Sequence, residues 1–85
     1  TAVLPDTEIE RLFDKERLAN LLEIMTDRER TVLDMRFGLV DGKPHTLADV
    51  ADKLGVSRER IRQIEEQALR KLKKFIHEQP ESFLQ

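Results

Sequence analysis

Residues Thr46 to Glu65 read TLADVADKLGVSRERIRQIE, and this stretch decides the architecture. Thr46 followed three residues later by Asp49 is the pattern of a capped helix N-terminus, and Leu47, Val50, Ala51 and Leu54 recur at i, i+3, i+4 and i+7. They predict one short amphipathic helix. Gly55 stands directly after the last apolar residue, where a left-handed conformation ends a helix, and Val56 offers an apolar side chain to tuck beneath the turn. Ser57 then caps a second helix. Ala51 is small enough for two helices to approach closely, and Ile61 and Ile64 give the second helix an apolar underside. The turn is too short for a parallel or extended arrangement. A crossed pair, a helix-turn-helix over residues 46–77, is expected.

The second helix carries the chemistry. At about 100° per residue, Ile61, Ile64, Ala68, Leu72 and Phe75 share one stripe, which leaves Glu59, Arg62, Gln63, Glu66, Arg70 and Lys73 on the opposite side and Arg58 at its edge. In helix-turn-helix proteins the first turns of the second helix reach base edges, so Arg58, Glu59, Arg62 and Gln63 are the candidates for major-groove contact. Arg suits guanine, Gln suits adenine, and Glu suits the cytosine amino group. Glu59 is the most diagnostic, because a carboxylate facing phosphates is unfavourable unless a base donor receives it. The plainer reading is a solvated helix face, with Glu59 favoured by the helix dipole and Glu66–Arg70 an ordinary i, i+4 pair. The cap, turn and crossing residues upstream weigh for nucleic acid.

Working outward, Thr26 to Glu29 is another capping box, opening a helix with Val32, Leu33 and Arg36 that ends at Gly38. Leu39 to His45, with Asp41-Gly42 and Pro44, is a connecting turn. Thr7 to Glu10 is a third capping box; Ile9, Leu12 and Phe13, then Leu18, Leu21, Leu22 and Met25, form apolar faces whose register shifts near Asp14 to Glu16. Two short helices or one bent helix would satisfy that pattern. The expected fold is all-α, a small helical domain of four to five helices with a C-terminal helix-turn-helix. Residues 1–25 are read as an N-terminal helical segment packing on the core formed by 26–85.

Composition bounds the function. Eighty-five residues with no cysteine fit one small intracellular helical domain with a modest core, no disulfide framework and no thiolate zinc site. No apolar run approaches membrane-spanning length and no secretory segment is seen; a chain starting at Thr1 is read as a fragment or processed product. The net charge of -2 is unusual for a free-standing DNA binder. Its distribution is uneven: residues 1–42 hold six basic and ten acidic side chains, whereas residues 56–77 hold seven basic and three acidic. A two-sided module is expected, basic along the second helix and acidic elsewhere. His45 and His77 are far apart in sequence and lack a thiol or a Ser-His-Asp arrangement, and there is no Gly-rich phosphate loop or metal-ligand spacing. The expectation is a protein that is not an enzyme, with no cofactor and no metal; His45 is expected at a DNA phosphate or in solvent.

Two motifs together carry a family resemblance. Val56 to Glu65, VSRERIRQIE, followed by Ala68-Leu69-Arg70-Lys71-Leu72, resembles the helix-turn-helix of region 4 in primary sigma-70-type bacterial sigma factors. Upstream, Thr26 to Gly38, TDRERTVLDMRFG, resembles the preceding subregion of that domain. The resemblance implies a cytoplasmic bacterial transcription-initiation factor that binds double-stranded promoter DNA at the minus 35 element and docks on the beta flap of RNA polymerase core. It implies base readout by Arg58, Glu59 and Gln63, with Arg62 beside them, and DNA-backbone contact by Arg28, Arg36 and the Thr46-Leu47 helix start, with Ser57 and Arg60 grouped there too. Arg70, Lys71 and Lys73 match a basic stretch approached by activators, and anti-sigma factors are further implied partners. Some positions depart from the family's usual pattern. Gln67 replaces a common Lys, Met25 a usual Leu, and Lys73 to His77 continue the apolar period where relatives often turn, which predicts a longer last helix.

Two alternatives remain open on the sequence. A dimeric response-regulator-type helix-turn-helix would need a dimerising last helix and two half-sites, whereas the sigma resemblance implies a monomer alone. A protein-interaction module without DNA readout would use Arg58 to Lys74 against an acidic partner.

Overall fold

Three polar side chains, each followed by an apolar period, set where the helices begin. The computed structural model of the chain describes residues 23–39 and 41–78. The expectations for residues 1–22, including the Thr7–Glu10 cap and the helices counted there toward four to five, lie outside the described residues. Helices α1 (Asp27–Phe37), α2 (Leu47–Leu54) and α3 (Arg58–Glu78) follow one another, Glu23 and Ile24 are also helical, and the described residues contain no strand. The all-α expectation holds among them.

Both expected capping boxes form. Thr26 Oγ1 accepts the Glu29 N–H at 3.1 Å while Glu29 Oε1 accepts the Thr26 N–H at 2.8 Å. At α2, Thr46 Oγ1 accepts the Asp49 N–H at 3.1 Å, with a longer return bond of 3.4 Å from the Thr46 N–H to Asp49 Oδ2. Each pair satisfies donors that a helix N-terminus leaves open. Gly55 ends α2 at φ 71°, and the Gly55 and Val56 N–H groups both donate to the Ala51 carbonyl. Ser57 Oγ then accepts the Arg60 N–H at 3.0 Å, so only three residues separate the two helices. The apolar period past Leu72 extends α3 to Glu78, as its sequence predicts.

The core has two parts. Val32, Val50, Ala51, Ile61 and Ile64 form one buried cluster, with Met35, Leu47, Leu54 and Val56 packed against it. Met25, Leu33, Ala68, Leu69 and Leu72 form the other, with Ile24, Phe37 and Phe75 at its edge. Ala51 and Val56 thus occupy the close-approach and turn positions foreseen for them. Met25 joins the core from just before α1.

The α1–α2 connection depends on Gly38. It sits at φ 63°, its N–H and that of Leu39 both donate to the Asp34 carbonyl, and its own carbonyl accepts the Gly42 N–H at 2.9 Å. The chain then folds back so that the His45 N–H reaches the Met35 carbonyl at 2.9 Å. A Cβ on Gly38 would lie 2.8 Å from the backbone of Lys43 and Pro44, whereas one on Gly42, also left-handed at φ 73°, would meet nothing within 4 Å. Gly42→Ala should therefore cost only the left-handed penalty, about 1–2 kcal/mol. Gly38→Ala should cost clearly more, because rigid backbone must move. Urea unfolding of the two variants measures the difference, and equal losses would show that the loop gives way freely.

Candidate nucleic-acid interface

Burial of Ile61 (0% exposed) and Ile64 (4%) against α1 and α2 fixes the rotation of α3. The opposite face is thereby turned to solvent, and Arg58, Glu59, Arg62 and Gln63 are all exposed. Beside them runs an open groove lined by Arg36, Thr46, Leu47, Ala48, Ser57, Arg58, Glu59 and Arg62. The fold thus collects three base-readout candidates and four backbone-contact candidates from α1, α2 and α3 into one concavity. Arg28, Arg60 and Gln63 are exposed but do not line it. Ala48, which the sequence reading passed over, does; its place in the first turn of α2, next to Leu47, was the available signal.

The outer face of α3 carries an ion-pair ladder. Arg62 donates Nε to Glu59 Oε1 at 2.7 Å and Nη2 to Glu59 Oε2 at 2.8 Å, while its Nη1 reaches Glu66 Oε2 at 2.8 Å. Glu66 Oε1 accepts Arg70 Nη2 at 2.9 Å. The Arg62 hydrogen bond holds the Glu59 carboxyl below the usual carboxylate range, and those of Arg70 and Arg62 do the same for Glu66. The Arg62 guanidinium is correspondingly held more firmly protonated, chiefly by Glu59. Glu59 is thus a ready acceptor at neutral pH. The side chains of Arg28, Arg58, Arg60, Gln63 and Lys73 make no hydrogen bond or ion pair with the described residues.

Other basic candidates are engaged within the protein. Arg36 donates Nε to Glu65 Oε1 at 3.1 Å and Nη1 to the His45 carbonyl at 2.8 Å, tying α1 to α3 and to the loop before α2. The His45 ring lies 3.9 Å from Asp41, partly buried rather than projecting into solvent. Lys71 donates to Glu29 Oε1 at 2.8 Å, the same oxygen that accepts the Thr26 N–H. Glu29 is only 3% exposed. The sequence reading saw Glu29 as a cap partner alone, because nothing local links it to a lysine 42 positions away. Arg70 and Lys73 are exposed, farther along α3 than the groove.

The family model for Sigma-70, region 4 matches residues 21–74, which include the groove, all three helices up to Lys74 and both sequence motifs. The chain belongs to the sigma-70 region 4 family. It is 46% identical over 76 residues to the RNA polymerase sigma factor SigA4 of Synechococcus elongatus, covering 89% of this chain and 24% of that protein. It is 52% identical over 63 residues to the RNA polymerase sigma factor SigA of Lactococcus lactis subsp. cremoris, covering 74% of this chain and 17% of that protein. The chain therefore spans a quarter or less of the length of these relatives. This is region 4 of a primary sigma-70-type factor, a DNA-binding regulatory domain of transcription. Among the described residues no helix is long and apolar enough to cross a membrane.

The Glu29–Lys71 pair should make the fold acid-sensitive. Burial pushes the Glu29 carboxyl upward, but hydrogen bonds from Lys71 and Thr26 outweigh it and hold the group below its ordinary 4.5. A depressed acid stabilises the fold above its unfolded-state pKa, and that contribution is lost as pH falls through the folded-state value. Unfolding free energy should therefore drop as pH is lowered below about 4.5, and Glu29→Gln should flatten that part of the curve. The variant should also lose about 1–2 kcal/mol at neutral pH, the scale of a charge-assisted hydrogen bond. An unchanged acid limb in Glu29→Gln would assign the sensitivity to other carboxylates.

Proposed function

We propose that this region 4 reads the minus 35 promoter element, with the first turns of α3 in the major groove, as part of a sigma factor that directs RNA polymerase core to promoters. The observation that carries the reading is the convergence of Arg58, Glu59 and Arg62 with the N-terminus of α2 on one exposed groove, held in place by a buried helix underside. α3 forms a helix-turn-helix with α2, and its first turns present a guanine reader in Arg58, a cytosine-amino acceptor in Glu59 and an adenine reader in Gln63. Arg62 works on bases or backbone beside them. The α2 N-terminus at Thr46 and Leu47, with Arg28, Ser57 and Arg60, positions the domain on phosphates. Arg36 joins them with what its internal bonds to Glu65 and His45 leave available.

The same reading gives the rest of the molecule its partners. The acidic balance of residues 1–42 suits a surface turned away from DNA, toward polymerase and its beta flap. Arg70 and Lys73 are the exposed cations for an activator; Lys71 would have to exchange Glu29 for it. Anti-sigma factors would compete for these same faces. With few phosphates neutralised, the isolated monomer binds weakly and depends on its tether to polymerase for useful affinity.

The test is selection of bound DNA sequences by a sigma factor carrying this region 4 in complex with core polymerase. A hexamer resembling TTGACA should be enriched, and no enrichment would overturn the reading. Glu59→Ala should relax preference at one base pair by about 1–3 kcal/mol while leaving the other positions selective. Each phosphate contact should add about -0.9 to the log-log salt slope. An interaction module without DNA readout would show neither effect.

A further inference from the structure

Among the described residues, Arg62 is the one groove cation whose guanidinium is shared between two carboxylates, and the two differ in position. Glu59 lines the groove; Glu66 does not. Glu66 lies one turn beyond Arg62 and two beyond Glu59 on α3, its side chain 39% exposed against 58% for Glu59, and Arg70 anchors its second oxygen through bonds of 2.9 and 3.3 Å. Arg70 thus fixes Glu66 from behind and leaves Oε2 directed at Arg62 Nη1, 2.8 Å away.

Consider what DNA offers these groups. Phosphate oxygens occur along every duplex, and an arginine free to swing reaches them whatever the sequence. A guanine edge offers two acceptors in the planar arrangement a guanidinium matches, and a cytosine amino group offers a donor to a carboxylate. Where a base pair takes the Glu59 oxygens away from Arg62, Arg62 keeps only Glu66. Glu66 touches no base in this arrangement, yet it decides how readily Arg62 leaves for a phosphate.

Resting on the promoter-reading proposal, we propose that Glu66 is a specificity-determining positioning residue: with Arg70 behind it, it holds Arg62 back from DNA of arbitrary sequence, so that Arg62 is released mainly where base edges replace both carboxylates. The arrangement is discrimination by restraint. It costs affinity on every duplex and costs more on the wrong ones.

The experiment measures binding of the 85-residue chain by fluorescence anisotropy at low ionic strength. It uses the duplex selected above and a scrambled duplex of equal length. Glu66→Ala should raise affinity for the scrambled duplex by about two- to fivefold, the scale of an exposed ion pair, and for the selected duplex by less. The ratio of the two affinities should fall. On the scrambled duplex the salt slope should steepen by up to about 0.9, as Arg62 gains a phosphate. The same substitution in an Arg62→Ala background should leave unchanged the ratio still supplied by Arg58 and Gln63. An equal gain on both duplexes would reduce Glu66 to one removed negative charge and overturn the proposal. So would a fall in the ratio that persists without Arg62. A parent chain unable to distinguish the duplexes at low ionic strength would overturn this inference, whereas the promoter reading falls only if the polymerase-bound factor enriches no hexamer. The two failures are separate, because the selection experiment alone reports the second.

Discussion

Two adjacent side chains on α1, Val32 and Leu33, hold the described structure together. Both are 0% exposed, and they enter different clusters: Val32 meets Val50, Ala51, Ile61 and Ile64, while Leu33 meets Ala68, Leu69 and Leu72. One short helix therefore grips the long helix α3 along both of its halves. A fully buried aliphatic side chain contributes about 1.5–3 kcal/mol, against about 0–1 kcal/mol for an exposed ion pair. The rotation of α3 is thus set by its underside, and the ladder from Glu59 to Arg70 decorates a face whose direction is already fixed. Because function depends on that direction, the core is the first element of the site.

Polar ties refine what the core fixes. Arg36 joins α1, the His45 carbonyl and Glu65 of α3, and Lys71 reaches back from α3 to the N-terminal cap of α1. Each tie satisfies groups that would be expensive to bury alone, and among the described residues no buried side-chain nitrogen or oxygen lacks a partner. Their energetic return is modest because charge must be desolvated to make them. Their geometric return is larger. A slip of α3 along α1 by one turn would break both at once, leaving Glu29 buried without its cation, whereas apolar contacts tolerate such a slip more easily.

What the sequence made legible follows from range. The capping boxes at Thr26 and Thr46, the left-handed Gly38 and Gly55, and the extension of α3 past Leu72 each depend on residues within one turn of one another, and all are found. The outward placement of Glu59, Arg62 and Gln63 follows from the same period and holds. Leu69 lies outside the stripe that the helical period of α3 predicts. In the structure Leu69 is buried beside Ala68, since α3 meets α1 as well as Met25 over a wider arc. Glu65–Arg36 and Glu29–Lys71 span 29 and 42 positions, and no local pattern encodes such pairs. The Glu59–Arg62–Glu66 arrangement lies within local reach, at i+3 and i+4, but the helical period fixes only which face Arg62 takes and not which carboxylate holds it.

That pairing changes the meaning of the charge on α3. Residues 56–77 carry a formal excess of cations, but Glu59 and Glu66 occupy Arg62 and Arg70, and Glu29 occupies Lys71. Of the cations in residues 56–77, those whose side chains have no partner among the described residues are Arg58 and Arg60 at one end of the helix and Lys73 and Lys74 near the other. A helix with its middle neutralised draws phosphates weakly along its length and concentrates its field at its two ends. Little sequence-independent attraction is then available to hold the domain on the wrong DNA. On the promoter reading proposed above, selectivity comes from a few side chains arriving at fixed positions, and the burial of Ile61 and Ile64 sets those positions.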